Sequence, residues 1–340
     1  MRAFILVSLL SMSKLPRIAV LNKNKLDWNC CIDWAPLQQV ASSSLAFYSS
    51  TTTNEILARS AGVNVLVTKE MEVSGDVIRS LDPSVKLIAE AGTGFNNIDL
   101  AAASERGIAV ANVSDYSSQA VATLVMTAVL NASASIIPLH SLSRSSPDVA
   151  AAEKYPFPLV EVAGKRLGLV GGNGVIGRRV TALAQPFGLE VVVSSRSNNA
   201  AEGQKPIAFD ELLATSDYVS LHCPLTEQTR HLISAKELTL MKPTAHLINT
   251  ARGPIVDQTA LIEALEGDVI AGAHLDVQEV EPLPANDPLW STKNITITPH
   301  IGWKRQESRQ RLVSLLAENI GSFFDPDRKS VNIVNEEMIR

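Results

Sequence analysis

Three segments decide the fold of this chain: LINTARGPIVD (residues 247–257), AGAHLDVQEVEPLP (residues 271–284) and TPHIGW (residues 298–303). Each combines a short apolar run with a polar group that follows it. We expect three buried strands, at residues 245–248, 269–275 and 295–297. The polar residues that follow them are Arg252, Asp276 and His300, respectively. Parallel strands that end at one edge of a doubly wound sheet place such groups in one crevice.

An arginine, a carboxylate and a histidine at one sheet edge suit acid–base chemistry on an acidic substrate. The guanidinium of Arg252 can bind a carboxylate through two parallel hydrogen bonds. The imidazolium of His300 can give a proton to an oxygen, and a neighbouring Glu281 would favour the charged imidazole near neutral pH. These residue types therefore predict an enzyme active site rather than a purely structural cluster.

The same motifs resemble the D-isomer-specific 2-hydroxyacid dehydrogenase family, glyoxylate and hydroxypyruvate reductases in particular. The resemblance covers nearly the whole chain and is densest from Gly164 to Gly302. Its motifs follow the family's order and spacing, and they are SDYVSLHCPLTEQTRHLI (residues 216–233), LMKPTAHLINTARGPIVD (residues 240–257), AGAHLDVQEVEPLP and TPHIGW. The resemblance implies an NAD(P)-dependent reductase of small 2-oxo acids, or the reverse D-2-hydroxyacid dehydrogenase.

The fold class implied is α/β, with two doubly wound parallel-sheet domains. A Rossmann-type nucleotide domain would be inserted into a flavodoxin-like substrate domain, with the site in the cleft between them. The expected boundaries are an N-terminal extension (1–12), a substrate domain (13–113 and 303–340) and a dinucleotide-binding domain (114–302). In the first domain, apolar runs such as IAVL, NVLVT and GIAVANV alternate with helix-length stretches, and an amphipathic helix over residues 306–324 returns to it. We expect residues 118–134 to form a buried helix and residues 141–158 to form a surface connection. We also expect a solvated basic helix face that comprises Lys304, Arg305, Arg309 and Arg311.

By resemblance, Arg252, Glu281 and His300 are the catalytic residues, and no metal is required. His300 would donate a proton, Glu281 would pair with it, and Arg252 would bind the substrate carboxylate and polarise the carbonyl. In AGTGFNNID (residues 91–99), two glycines flank Thr93, and the matching family loop receives the substrate carboxylate, which implicates Thr93 and Gly94. The alternative for this loop is a tight turn without a ligand.

A Gly-rich turn lies between two expected strands in KRLGLVGGNGVIGRRVTALAQPFGLEVVVSSRS (residues 165–197). A strand, this turn, a helix and a second strand are the context in which Gly172, Gly174 and Gly177 predict a dinucleotide site at the helix N-terminus. The turn is one residue longer than the family usually shows, so Gly171, Asn173 and Val175 are all candidates for phosphate contacts. The predicted cofactor residues are Gly172, Gly174, Val175, Ile176, Ser195, Arg196, Ser197, Cys223, Pro224, Thr229, Thr250, Ala251, Arg252, Asp276, His300 and Gly302.

The end of the second strand of this unit predicts the choice of cofactor. NAD-preferring members place an aspartate or glutamate there, which binds the ribose hydroxyls. Here the position is Ser195, followed by Arg196 and Ser197. A hydroxyl can donate to a 2′-phosphate and a guanidinium can pair with it, so NADP is the preferred cofactor, with NAD also possible. The alternative is that Arg196 is an ordinary exposed arginine.

Composition excludes several classes of function. The chain has 340 residues, 46% of them hydrophobic, and a net charge of −5, which argues against nucleic acid as a partner. Its three cysteines offer neither a disulfide framework nor a metal-ligand spacing, which favours a reducing compartment. The apolar opening is too short to span a membrane; we expect a cytoplasmic location, with organelle targeting by the extension as an alternative.

The expected ligand is a small 2-oxo or 2-hydroxy acid with an uncharged substituent, glyoxylate and hydroxypyruvate being the leading candidates. The resemblance implies a homodimer. Two alternatives share the resemblance: a phosphoglycerate dehydrogenase-type activity, and a dinucleotide-sensing protein like the C-terminal-binding-protein corepressors. The first often adds a regulatory domain and the second carries disordered tails, and neither feature is evident in this sequence.

Overall fold

The structure is a computed structural model that describes residues 15–146, 148, 157–196, 200–325 and 332–339. The predicted extension 1–12, Ser197 and half of the predicted connection 141–158 lie outside these residues. The chain forms two compact units. Unit 1 comprises the chain up to Ser117 and from Lys304 onward, and unit 2 comprises Ser118–Trp303.

Unit 1 is built on a sheet of five parallel strands. The strand order is β2-β1-β3-β4-β5, the flavodoxin-like order expected for the substrate domain. Four of the strands are buried along their whole length, which explains their largely apolar sequences. The strands are β1 (Ile18–Val20), β2 (Leu45–Phe47), β3 (Val65–Thr68), β4 (Leu87–Glu90) and β5 (Ala109–Ala111).

Unit 2 is built on a sheet of seven parallel strands in the order β12-β11-β10-β9-β6-β7-β8. This is the Rossmann order with a seventh strand added at one edge, so the predicted fold class is confirmed. Apolar side chains of successive residues enter cores on opposite faces; Leu167 and Leu169 pack on one face, Val170 on the other. The strands are β6 (Arg166–Val170), β7 (Glu190–Ser194), β8 (Lys205–Pro206), β9 (Tyr218–Leu221), β10 (His246–Asn249), β11 (Gly272–Leu275) and β12 (Ile295–Ile297).

Helices cover both sheets, and the longest two match their predicted bounds. They are α1 (Lys23–Leu26), α2 (Ala35–Val40), α3 (Thr53–Ser60), α4 (Gly75–Arg79), α5 (Leu100–Glu105), α6 (Ser118–Ala134), α7 (Ile136–Ser145), α8 (Val175–Ala184), α9 (Phe209–Thr215), α10 (Ala235–Leu240), α11 (Gln258–Glu266), α12 (Gln306–Phe324) and α13 (Glu336–Ile339). Within the described residues, no single helix could cross a membrane; α6 and α7 pass the length and composition test only together, with a 54° bend between them.

Asparagine side chains join the two chain segments of unit 1. Asn335, which is 1% exposed, accepts a hydrogen bond from the Val110 N–H at 2.8 Å and donates to the Ile108 carbonyl at 3.0 Å. On α12, Asn319 donates to the Asn112 carbonyl at 2.9 Å. These bonds satisfy backbone groups that the edge strand β5 and the segment after it would otherwise leave unpaired.

Several sequence expectations were wrong in detail. Residues 141–145 are the last part of helix α7, not a surface connection, and β11 begins at Gly272 rather than at residue 269. The sequence did not predict β2, which is only partly buried, or the two-residue edge strand β8. Arg309 is 2% exposed and donates to the Leu26 carbonyl at 2.8 Å, so the predicted solvated basic face is wrong at this residue. Arg311 is exposed, as expected, and donates to the carbonyl of Tyr116.

Arg309 also donates to Asn29 Oδ1 at 3.0 Å and lies 3.9 Å from the Trp28 ring centroid. We predict that Arg309→Met lowers the free energy of unfolding of unit 1 by about 2 kcal/mol, because it removes charged hydrogen bonds and leaves the buried Leu26 carbonyl unpaired. The control is Arg305→Met, the same change at an exposed neighbour, with an expected effect within about 0.5 kcal/mol. Urea unfolding of both variants is the measurement, and equal losses would contradict the structural role of Arg309.

Candidate active site

The loop after β10 is shaped by a buried asparagine. Asn249 is 0% exposed; its Oδ1 accepts from the Ala251 N–H at 3.0 Å and its Nδ2 donates to the Arg252 carbonyl at 2.9 Å. One side chain therefore fixes both ends of the turn that presents Arg252. The Arg252 side chain is partly exposed, and its Nη1 donates to the Ala251 carbonyl at 2.7 Å. Next to it, the buried hydroxyl of Thr250 has no hydrogen-bond partner among the described residues, so this loop holds an unsatisfied polar group.

The turn after β12 is held by Asp276, which follows β11 and is 1% exposed. Its Oδ1 accepts from the Thr298 hydroxyl at 2.6 Å and the Ile301 N–H at 2.8 Å, and its Oδ2 accepts from the Gly302 N–H at 2.8 Å. Charge-assisted hydrogen bonds of this kind are stronger than neutral ones. Asp276 thus fixes the turn on both sides of His300. Whether the same carboxylate also contacts a cofactor stays a prediction.

His300 lies at the apex of this turn with a backbone φ of 51°. That left-handed conformation costs on the order of 1 kcal/mol or more for a residue other than glycine. The surrounding bonds hold it: the His300 N–H donates to the Asp276 carbonyl at 2.8 Å and contacts the Thr298 carbonyl at 3.0 Å. Residues in strained backbone conformations cluster at functional sites, which supports a role for this histidine in ligand chemistry.

Glu281 and His300 form the pair that the sequence predicted. His300 Nδ1 lies 2.7 Å from Glu281 Oε2, and Glu281 Oε1 accepts from the Gln278 N–H at 3.1 Å. Both side chains are about one-third exposed, 28% and 33%. The carboxylate therefore fixes the ring orientation and leaves His300 Nε2, which has no hydrogen-bond partner in the described part of the chain, as the nitrogen that can act on a ligand.

A glycine packs the Arg252 loop against the segment that carries Glu281. A Cβ on Gly253 would lie 1.8 Å from the Gln278 carbonyl oxygen and 2.6 Å from the Glu279 nitrogen. Only glycine allows this backbone approach. Farther out, His231 Nε2 lies 2.6 Å from Glu279 Oε1, and the His231 N–H donates to the Pro254 carbonyl at 2.8 Å. The structure thus brings the loops of Arg252, Glu281 and His300 together within unit 2.

The Gly-rich turn between β6 and α8 fits a dinucleotide phosphate. A Cβ on Gly177 would lie 2.1 Å from the Gly172 carbonyl oxygen, so the turn closes tightly on the helix. A Cβ on Gly174 would meet no atom within 4 Å, so that side of the turn is open. The N–H groups of Gly174, Val175 and Ile176 donate to no group within the described residues. Such N–H groups at the start of a helix are suited to bind phosphate oxygens.

Two predicted cofactor residues at the end of β7 are engaged by neighbours. Ser195 Oγ accepts from Asn173 Nδ2 at 2.9 Å, which connects the Gly-rich turn to this strand end. Arg196 is exposed, and its Nη1 donates to Gln228 Oε1 at 3.3 Å. Ser197, the third residue predicted here, lies outside the described residues. The hydroxyl and the guanidinium are thus on the strand end where the sequence placed the adenosine ribose.

The segment after β9 approaches the Gly-rich turn from the other side. A Cβ on Gly171 would lie 2.8 Å from the Cys223 nitrogen. Burial raises the pKa of the Cys223 thiol, and Thr229 donates to the Pro224 carbonyl at 2.6 Å, which folds the loop back on itself. Burial lowers the pKa of His222 to about 4, so this imidazole is neutral at physiological pH.

In unit 1, the loop after β4 carries the predicted carboxylate-binding residues Thr93 and Gly94. The Gly92 carbonyl accepts from the Val113 N–H at 2.9 Å, the Thr93 carbonyl accepts from Asn112 Nδ2 at 2.7 Å, and the Thr93 hydroxyl donates to the Val113 carbonyl. The carbonyl groups of Gly92 and Thr93 thus accept hydrogen bonds from residues 113 and 112. The N–H groups of Gly92, Thr93 and Gly94 donate to no group within the described residues, as an anion-binding loop requires.

A buried charged cluster lies beneath this loop, and the sequence analysis missed it. Lys69 is 4% exposed and Glu90 1%; a Cβ on Gly92 would lie 3.1 Å from Lys69 Nζ and 3.3 Å from Glu90 Oε1. Lys69 pairs with Glu70 at 2.9 Å. Burial lowers the pKa of Lys69, but electrostatic interactions with Tyr116, Glu70 and Glu90 outweigh this effect, so the pKa of Lys69 is raised. The only sequence signal was a lysine directly after the buried strand β3.

Comparison with known proteins gives consistent matches. Residues 126–302 match the family described as D-isomer specific 2-hydroxyacid dehydrogenase, NAD binding domain. A glyoxylate reductase of Thermococcus litoralis is 37% identical over 292 residues, 84% of this chain and 87% of that protein. A hydroxypyruvate reductase of Blautia hydrogenotrophica is 30% identical over 314 residues, 90% and 95% of the two chains. The solved structure of an acyclic imino acid reductase in complex with NADPH and D-Arg is similar with a TM-score of 0.82 and 26% identity, covering 93% of this chain and 99% of that one.

We predict that Asp276→Asn lowers the free energy of unfolding of unit 2 by about 2 to 3 kcal/mol. An amide group can accept at only one of the two positions, so at least one buried donor of the His300 turn is left unpaired. Asp257→Asn is the control, because Asp257 caps α11 by accepting from the Ala260 N–H and asparagine caps equally well. Urea unfolding is the measurement, and similar small changes in both variants would contradict the role of Asp276.

Proposed function

The chain belongs to the D-isomer-specific 2-hydroxyacid dehydrogenase family, and from that premise we propose that it reduces glyoxylate or hydroxypyruvate to the D-2-hydroxy acid, with NADPH as the preferred cofactor. As a member of this family, the chain is an oxidoreductase that acts on 2-oxo acids and uses a nicotinamide dinucleotide. The observation that carries the proposal is the 2.7 Å pair of Glu281 and His300 beside the loop of Arg252.

In the proposed reaction, His300 is the general acid. The reduced nicotinamide, when bound, supplies the hydride that adds to the carbonyl carbon. His300 Nε2 donates the proton that the carbonyl oxygen takes up, while Glu281 at Nδ1 stabilises the imidazolium before the transfer. The ring then regains a proton from solvent, to which its side chain is 28% exposed. In the reverse direction the neutral imidazole accepts the hydroxyl proton.

Arg252 is the proposed carboxylate ligand of unit 2. Within the part of the chain that the structure describes, only Nη1 of its guanidinium forms a hydrogen bond, to the Ala251 carbonyl, so the remaining N–H groups can pair with a carboxylate and polarise the adjacent carbonyl. For unit 1 we propose that the N–H groups around Thr93 and Gly94 bind a substrate carboxylate oxygen, as the outward N–H groups of that loop support. Carboxylate-binding groups of this kind favour a small acidic substrate with an uncharged substituent.

The proposed preference for NADPH depends on the end of β7. Ser195 and Arg196 stand where an acidic residue would bind a ribose and repel a 2′-phosphate. The similar imino acid reductase structure contains NADPH, which supports a phosphate-bearing cofactor in this fold. The open side of the Gly-rich turn and the unpaired hydroxyl of Thr250 support the remaining contacts of the cofactor.

We also propose a homodimer, supported by an apolar surface on unit 2. Ile136, Ile137, Leu159 and Val160 are between 43% and 60% exposed. The Val160 N–H donates to the Ser133 carbonyl at 2.9 Å, and Ser135 donates to the Pro158 carbonyl at 2.9 Å, so the two segments lie side by side. Adjacent exposed aliphatic residues of this kind mark interaction surfaces.

We predict that His300→Gln lowers kcat for glyoxylate reduction between about a hundred-fold and ten-thousand-fold, the range for loss of a positioned general acid. Glu281→Gln should also lower kcat, because the uncharged amide no longer stabilises the imidazolium at Nδ1. Steady-state kinetics of both variants at one pH are the measurement. A near-normal kcat in His300→Gln would remove the acid role, and a near-normal kcat in Glu281→Gln would remove the proposed charge effect.

The proposed substrate and cofactor are tested by one kinetic panel of 2-oxo acids with NADPH and NADH. We predict the highest kcat/KM for glyoxylate or hydroxypyruvate with NADPH, and a far lower value for 3-phosphohydroxypyruvate. Arg196→Ala should raise KM for NADPH severalfold and leave NADH kinetics nearly unchanged, and Ser195→Asp should shift the preference toward NADH through charge repulsion. A parent protein that uses NADH as well as NADPH, or prefers the phosphorylated acid, would refute the corresponding part of the proposal.

A further inference from the structure

We propose that Arg178, on the first turn of α8, binds the 2′-phosphate of NADPH and that Asn173 joins it to Ser195 in one phosphate subsite. The inference rests on the proposed preference for NADPH and assigns that preference to a residue outside the end of β7. Four observations carry it: a hydrogen-bond network, the remaining donors of Arg178, an open cavity, and the different direction of Arg196.

The network starts from Asn173 in the Gly-rich turn. Arg178 Nε donates to the Asn173 carbonyl at 2.9 Å, and Asn173 Nδ2 donates to Ser195 Oγ at 2.9 Å. Asn173 therefore touches both the helix residue and the strand-end residue. In this hydrogen bond the Ser195 hydroxyl is the acceptor, so the hydrogen of that hydroxyl is directed away from Asn173. The turn, the helix and the strand end thus form one polar surface.

Arg178 has the donors that a phosphate requires. The side chain is exposed, and Nε is the only guanidinium nitrogen that bonds to another described residue. Because Nε is held by the turn, the guanidinium is fixed at its base while both Nη groups point away from that bond. Two Nη groups in a fixed plane can donate in parallel to two phosphate oxygens, the geometry in which arginine binds phosphate better than lysine does.

An open cavity lies at this surface. Asn173 and Arg178 line it together with Ala200, Ala201 and Glu202. The two alanines have short side chains, which leave space in this cavity. Glu202 is the one acidic group in this lining, and it is exposed. Its charge opposes a phosphate at the same place, so neutralising Glu202 and neutralising Arg178 should act in opposite directions on one ligand.

Arg196 is directed toward a different part of unit 2. Its Nη1 donates to Gln228 on the segment after β9, and its charge acts on Cys223. Both neighbours belong to the segment after β9, and neither is among the lining residues of the cavity at Asn173 and Arg178. Arg196 therefore makes the smaller contribution to phosphate binding and Arg178 the larger one.

The test uses two small ligands and needs no substrate. Calorimetric titration measures the Kd of 2′,5′-ADP, which carries the 2′-phosphate, and of 5′-AMP, which lacks it, for the full-length parent and for Arg178→Met, Arg196→Met and Glu202→Gln. We expect Arg178→Met to raise the Kd of 2′,5′-ADP at least ten-fold and to change that of 5′-AMP less than two-fold. Glu202→Gln should lower the Kd of 2′,5′-ADP two- to three-fold, and Arg196→Met should raise it less than Arg178→Met does.

The outcomes separate the inference from the function on which it rests. A parent that binds both ligands equally well refutes the preference for NADPH, whichever variant is then measured. A parent that prefers 2′,5′-ADP, combined with an unchanged ratio in Arg178→Met, leaves that preference intact and overturns the assignment to Arg178. A larger loss in Arg196→Met than in Arg178→Met also overturns it, and places the phosphate on the Gln228 side. Retained binding of 5′-AMP shows that each variant is folded.

Discussion

One buried carboxylate determines the geometry on which the candidate site depends. Asp276 is almost fully removed from solvent, yet its two oxygens accept three hydrogen bonds from the turn that follows a neighbouring strand. A buried carboxylate that lacked those donors would be very costly, so the turn and the acid stabilise each other. His300 takes its left-handed backbone from this mutual constraint, and Glu281 then fixes the ring through Nδ1. The orientation of the acid–base pair is therefore set by a residue that need not touch the reacting atoms.

The same principle recurs at other strand ends. Asn249 organises the loop of Arg252, and Asn112 holds the Thr93 carbonyl in unit 1. In each case a polar side chain directed inward bonds to loop backbone, and the loop presents its remaining groups outward. Loops held in this way are rigid enough to position a ligand without themselves being part of the regular sheet. Parallel sheets favour the arrangement because all strands end on the same edge.

The sequence predicted most of the regular structure and part of the site. Strands such as Ile18–Val20, within the run IAVL, and helices such as Ser118–Ala134 match because continuous apolar runs of the right length have few alternatives. Strand Leu45–Phe47 was missed because it is only partly buried and gives no clear pattern. Arg309 was placed in solvent because a charge pattern cannot reveal a carbonyl partner at Leu26, 283 residues away. The bonds of Asp276 and the cluster at Lys69 likewise depend on residues that only the fold brings together.

Unit 1 consists of two separate segments of the chain, which affects its folding during synthesis. Unit 2 is one uninterrupted stretch, so every residue of its sheet has been synthesised once Trp303 has left the ribosome. Unit 1 at that moment still lacks helix α12 and Asn335, whose side chain pairs the backbone of its edge strand. The N-terminal segment of unit 1 therefore has an unpaired strand edge until the last part of the chain has been synthesised. Such an edge can pair with a strand of another chain until the last segment of unit 1 covers it.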